Sequence, residues 1–149
     1  SSLLWLTGIP GSAKTILMST VINFLQQCGN EKSYASVAYF HRDFRNPDSR
    51  DHLNLVGSLI AQICSQLSCS PKDLEEAFER SRTSGSSSSR HTNLHTFSEI
   101  LMSLTSQHRV AILVDALDEC ERQLDTLKLV SRLGTQGDPL NLLLSSRNE

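Results

Sequence analysis

Four short apolar runs along the chain are continuous rather than alternating: Leu3-Leu4-Trp5-Leu6, Val37-Ala38-Tyr39-Phe40, Val110-Ala111-Ile112-Leu113-Val114 and Leu142-Leu143-Leu144. A strand covered on one face alternates apolar and polar residues, whereas a strand covered on both does not, so these runs predict a buried parallel sheet. Between them the apolar spacing becomes helical. Ile16, Leu17, Val21, Phe24, Leu25 and Cys28 mark a first helix, and Leu53, Val56, Ile60, Ile63 and Leu67 a second. A third is expected after Pro71 with Ser70 as its cap, a fourth from Leu94, Phe97, Leu101 and Leu104, and a last from Leu124, Leu127, Val130 and Leu133, stopped by Gly134. Alternating strands and helices give an α/β domain, a mainly parallel central sheet layered between helices. Trp5, inside the first run, is expected in the core.

Residues 81–93 break the pattern. They hold one Gly and no large apolar side chain, which predicts a flexible Ser-rich loop. The remainder fits a single domain, residues 1–149, and the absence of an initiator Met suggests a fragment of a larger protein.

Charge narrows the function. Fourteen Lys and Arg against sixteen Asp and Glu leave a formal charge of -2, without the basic block that a nucleic-acid-binding arm requires. No run approaches the length of a membrane span, and the basic, apolar, small-residue order of a signal peptide is not seen in these residues. The four cysteines, Cys28, Cys64, Cys69 and Cys120, lack metal-site or disulfide-framework spacing. These features predict a cytoplasmic domain with no nucleic-acid partner and no membrane span.

The chemistry lies in two segments. Gly8-Ile9-Pro10-Gly11-Ser12-Ala13-Lys14-Thr15 follows a strand and opens a helix. In that setting backbone N–H groups and the positive end of the helix dipole converge on phosphate oxygens, Lys14 reaches the terminal phosphates and the Thr15 hydroxyl holds Mg2+. Ala13 stands where the second glycine of a phosphate loop belongs; if that position is left-handed, its methyl costs about 1–2 kcal/mol, a weakening of binding. The second segment, Asp115-Ala116-Leu117-Asp118-Glu119-Cys120, follows a buried-type strand, at the strand end where ligands bind in open α/β sheets. Asp115 is suited to hold the metal opposite Thr15. Glu119, or else Asp118, is suited to polarise the attacking water, with Asp118 otherwise serving metal or loop geometry. A plainer role for Asp118 and Glu119 is to cap the next helix.

These motifs, with Val-Ala-Tyr-Phe from Val37 and Ile-Leu-Val-Asp-Ala-Leu-Asp-Glu-Cys from Ile112, resemble the NACHT/STAND P-loop NTPases. The closest likeness is to the fungal branch similar to the nephrocystin-3-like N-terminal module, from Leu3 to Arg147. The resemblance implies a three-layer P-loop fold with the Leu142 strand between the Leu3 and Asp115 strands. It also implies that Arg147 senses the terminal phosphate. Such domains look like switches that self-associate when loaded with ATP or GTP and reset on slow hydrolysis. Two alternatives stand beside that expectation: a nucleotide-binding scaffold without hydrolysis and, more remotely, a small-molecule kinase.

Other polar groups carry weaker signals. His41, Arg42, Asp43 and Arg45 are expected in a solvated loop, with contact to nucleotide or a neighbouring subunit as the alternative, and His91 and His95 read as surface histidines.

Overall fold

The computed structural model describes residues 2–28, 34–43, 45–69, 72, 74–76, 79, 89–120, 122–137 and 140–147. Strand β1 spans Ser2–Thr7, helix α1 Lys14–Gln27, β2 Ser36–His41, the short α2 Pro47–Arg50 and α3 His52–Leu67. Then follow α4 Ser89–Gln107, β3 Val110–Asp115, a 3-10 turn at Leu117–Glu119, α5 Gln123–Thr135 and β4 Asn141–Ser146. Every strand pair is parallel and the order is β1-β4-β3-β2. The α/β prediction therefore holds, and β4 lies between β1 and β3.

Strand parity sorts the side chains into two layers. Val37, Ala111 and Leu113 pack with Met18 of α1 on one face. Ala38, Val110, Ile112, Val114, Leu142 and Leu144 point the other way, into the larger cluster under α3, α4 and α5. β3 has a neighbour on each side and helices on both faces, so every one of its residues is buried.

β1 does not fit the expectation of a strand covered on both faces. It is the sheet's outer strand, and Leu3, Leu4 and Trp5 are each about half exposed. Trp5 is thus at the rim and not in the core; its indole N–H donates to Ser146 Oγ at 2.9 Å. The opposite edge is guarded. Gln62 and Gln66, one turn apart on α3, each pair a side-chain amide with the backbone of β2, at Tyr39 and Val37, with distances of 2.8 to 3.0 Å. Those glutamines occupy hydrogen-bonding groups that an open strand edge would offer to another chain.

Helix ends follow local chemistry. The Asp51 side chain accepts from Leu53 N–H to cap α3, and Asn46 does the same for α2 through Asp48 N–H. α5 runs one residue past the expected stop at Gly134 and ends at Thr135. α4 starts at Ser89, ahead of the Leu94 periodicity, so its backbone takes in the last five positions of the expected 81–93 loop; residues 81–88 lie outside the described residues. Lys72, residues 74–76 and Glu79 are helical, while the expected cap Ser70 and Pro71 lie outside the described residues. Among the described residues no helix is long and apolar enough to cross a membrane.

Candidate functional site

At the C-terminal end of the sheet, the loop after β1 turns tightly before α1. Ser12 N–H donates to Ile9 O at 3.2 Å, Gly11 has φ +78°, and Ala13, at the helix N-cap, is left-handed at φ 60°. A Cβ at Gly8 would lie 2.9 Å from Ser12 Oγ, a contact that rotation of the serine side chain can relieve. The Lys14 ammonium folds back over this loop and donates to Gly8 O at 2.7 Å, Ile9 O at 3.0 Å and Ser12 Oγ at 3.1 Å.

Parity also aims the carboxylate of Asp115. As the last residue of β3, it falls on the α1 face with Ala111 and Leu113, and it is buried. Strand β2 delivers His41 beside it in register, and His41 Nδ1 lies 2.7 Å from Asp115 Oδ2. From β4 on the other side, the Ser145 hydroxyl donates to Asp115 Oδ1 and accepts from Ala116 N–H at 3.0 Å. Each carboxylate oxygen is thereby held from a neighbouring strand.

Ala116 is left-handed at φ 57°, and this kink turns the chain into the 3-10 turn that carries Asp118 and Glu119. Arg147, just past β4, closes on both. Its backbone N–H donates to Asp118 Oδ1 at 3.1 Å, its Nε lies 3.3 Å from Asp118 Oδ2, and its Nη2 donates to Glu119 Oε1 at 2.8 Å. The alternative of helix capping falls away, because the N-cap of α5 is Arg122 and neither carboxylate takes that place.

The two segments meet. A cavity of about 410 Å³ is lined by residues 10–16 together with Asp115, Ala116, Asp118, Glu119, Ser145 and Arg147. Pro10, Gly11, Ser12, Ala13, Lys14, Thr15, Asp115, Asp118, Glu119 and Arg147 are thus brought together as the sequence suggested. Gly8 and Ile9 are the exceptions: their carbonyls serve Lys14 from outside the lining. Asp118, Glu119 and Arg147 also form the wall of a second cavity of about 910 Å³, reaching to Trp5, Leu117 and Leu127.

Sequence reasoning missed Ser145 and placed His41 in a loop. A hydroxyl after a run of leucines carries no signal of its own until the register is known. Arg42 was likewise expected in solvent and is instead 1% exposed. Its Nη1 donates to Arg50 O at 3.3 Å and its guanidinium lies 5.8 Å from the Phe40 ring centre, while Nε and Nη2 have no hydrogen-bond partner among the described residues. His95 is exposed, 3.9 Å from Glu99, and the His91 side chain lies outside the described residues.

A family model described as nephrocystin 3, N-terminal, matches residues 1–147. The chain belongs to the nephrocystin 3 N-terminal family. In this nephrocystin 3 N-terminal domain the match takes in both segments of the site and the whole described sheet. Neither a curated protein nor a solved structure matches the chain.

Proposed function

We propose that this chain is a P-loop nucleoside-triphosphate-binding domain of the NACHT type, which holds ATP or GTP with Mg2+, hydrolyses it slowly and switches conformation with the nucleotide it carries. The observation that carries this reading is the shared cavity, where a loop rich in backbone N–H groups at a helix start faces the carboxylates at the end of β3. Such a helix terminus favours polyphosphate through its orphan donors and its dipole.

The donor set fits magnesium. The Thr15 hydroxyl and an Asp115 carboxylate oxygen are hard oxygen ligands of the kind that ion takes beside phosphate. Bound there, the ion would offset charge on the terminal phosphates. Lys14, which rests on two carbonyls and a hydroxyl, has a stronger acceptor in a charged phosphate oxygen and turns to it. Glu119 is the group placed to take a proton from water, and Arg147 holds it. Slow turnover fits that hold, because a carboxylate oxygen bonded to the guanidinium is not free to accept a proton from water until that bond opens. Arg147, which lines the cavity beside Glu119, is suited to exchange that carboxylate for the terminal phosphate.

The same contact favours a second reading, a scaffold that binds nucleotide and never hydrolyses it. In either case the loaded state is the one suited to self-association, in a cytoplasmic setting. Titration of a fluorescent nucleotide tests the reading. Lys14→Ala is expected to lose at least about tenfold in affinity, as befits a charge-assisted contact; unchanged affinity removes the loop from the mechanism. Phosphate release separates the two versions: Glu119→Gln retains binding and abolishes release if the domain hydrolyses, while a wild type that releases none is a scaffold.

A further inference from the structure

We propose that His41 is a positioning residue for the metal carboxylate: its imidazole N–H fixes the Asp115 side chain in the orientation that meets a divalent cation. The inference rests on the function proposed above and adds a residue to that site. Three observations carry it. The β2–β3 register makes His41 and Asp115 direct lateral partners, so the contact is built into the sheet. His41 Nδ1 lies 2.7 Å from Oδ2 of a carboxylate that is itself buried, while the histidine side chain is 54% exposed. The other oxygen, Oδ1, is already taken by Ser145 from the opposite strand.

A carboxylate only accepts hydrogen bonds, so the proton of this contact is carried by His41 Nδ1. Each carboxylate oxygen has a second lone pair, and donors on both sides leave one lone pair on each for a cation. Rotation of the carboxyl about its Cβ–Cγ bond breaks one of the two bonds. His41 therefore holds Asp115 in one plane without occupying all of its acceptor capacity. Outer-shell partners of this kind typically change metal affinity by about 10- to 100-fold when removed.

Nucleotide binding by this chain, titrated with Mg2+ at fixed fluorescent ATP and repeated in EDTA, tests the inference. His41→Ala is expected to raise the half-saturating magnesium about tenfold and to leave metal-free nucleotide affinity within about twofold. His41→Asn, which restores an N–H donor at similar reach, is expected to recover most of the difference. Thermal unfolding of both variants without nucleotide shows that they are folded, as the exposure of the ring leads one to expect. Equal half-saturating magnesium in wild type and His41→Ala overturns the inference while leaving the nucleotide site intact, and so does a His41→Asn variant as impaired as His41→Ala. A wild type whose binding ignores magnesium removes the metal from the proposed function and His41 with it.

Discussion

Ala13 has φ 60° and ψ 21° in the structure, in the left-handed region. A residue with a Cβ carries strain of about 1–2 kcal/mol in that conformation. The left-handed position that the weakened-binding expectation supposed is thus present, and the strain is a cost to the folded loop. Ala13→Gly removes the clash but adds freedom to the unfolded chain, a partial offset of about 0.5–1 kcal/mol. The variant is expected to gain up to about 1 kcal/mol, or a few degrees in thermal midpoint, with nucleotide affinity within about threefold of wild type. A tenfold tightening would instead place the methyl against the phosphate. His52 gives a second prediction at this scale. Burial, and then the Arg42 guanidinium, lower its pKa to about 4 from 6.5, and its Nδ1 is held at 2.7 Å by Thr126 Oγ1. Between those two pH values the unfolded chain binds a proton that the folded one refuses, so stability is complete above pH 6.5 and falls as the pH drops toward 4. Urea unfolding at pH 7 and pH 4.5 is expected to differ by about 2–3 kcal/mol from this residue, and His52→Gln should remove that part of the difference.

At the scale of elements, α1 and α3 show what apolar spacing can and cannot reveal. The spacing in α3 pointed to Val56, Ile60 and Ile63, and all three are buried, because this helix lies flat on the sheet with one broad apolar face. In α1 the spacing selects Ile16, Leu17, Val21, Phe24, Leu25 and Cys28; Val21 and Leu25 do pack on the core beside buried Met18, whereas Ile16, Leu17 and Phe24 are 70%, 48% and 63% exposed. The helix has apolar residues around much of its circumference, so periodicity alone did not separate the side that meets Val37, Ala111 and Leu113 from the side that faces outward. The corrected face is testable by chemical denaturation. Met18→Ala is expected to cost about 2–4 kcal/mol, whereas Phe24→Ala should stay within about 0.5 kcal/mol. In α5, Val130 and Leu133 are buried as the spacing indicated, but Leu124 and Leu127 of the same series are 73% and 38% exposed.

Over the whole molecule, the site was more legible than its supports. The motif spacing picked out Lys14, Thr15, Asp115 and Glu119 because their chemistry is local to two short stretches, and the fold brings those stretches to one cavity. His41 and Ser145 were hidden because their partner depends on strand order and register, which no local pattern encodes. β1 was misjudged for a related reason: a continuous apolar run looks the same in a central strand and an outer one. The sheet is asymmetric as a result, with glutamine amides along the β2 edge and exposed leucines along β1. Trp5 sits at that open margin, is the single tryptophan in the sequence, and is tied through its indole to Ser146, the residue before Arg147. Nature has in effect wired a lamp to the strand that bears the guanidinium, so a shift there alters ultraviolet emission without any dye being attached.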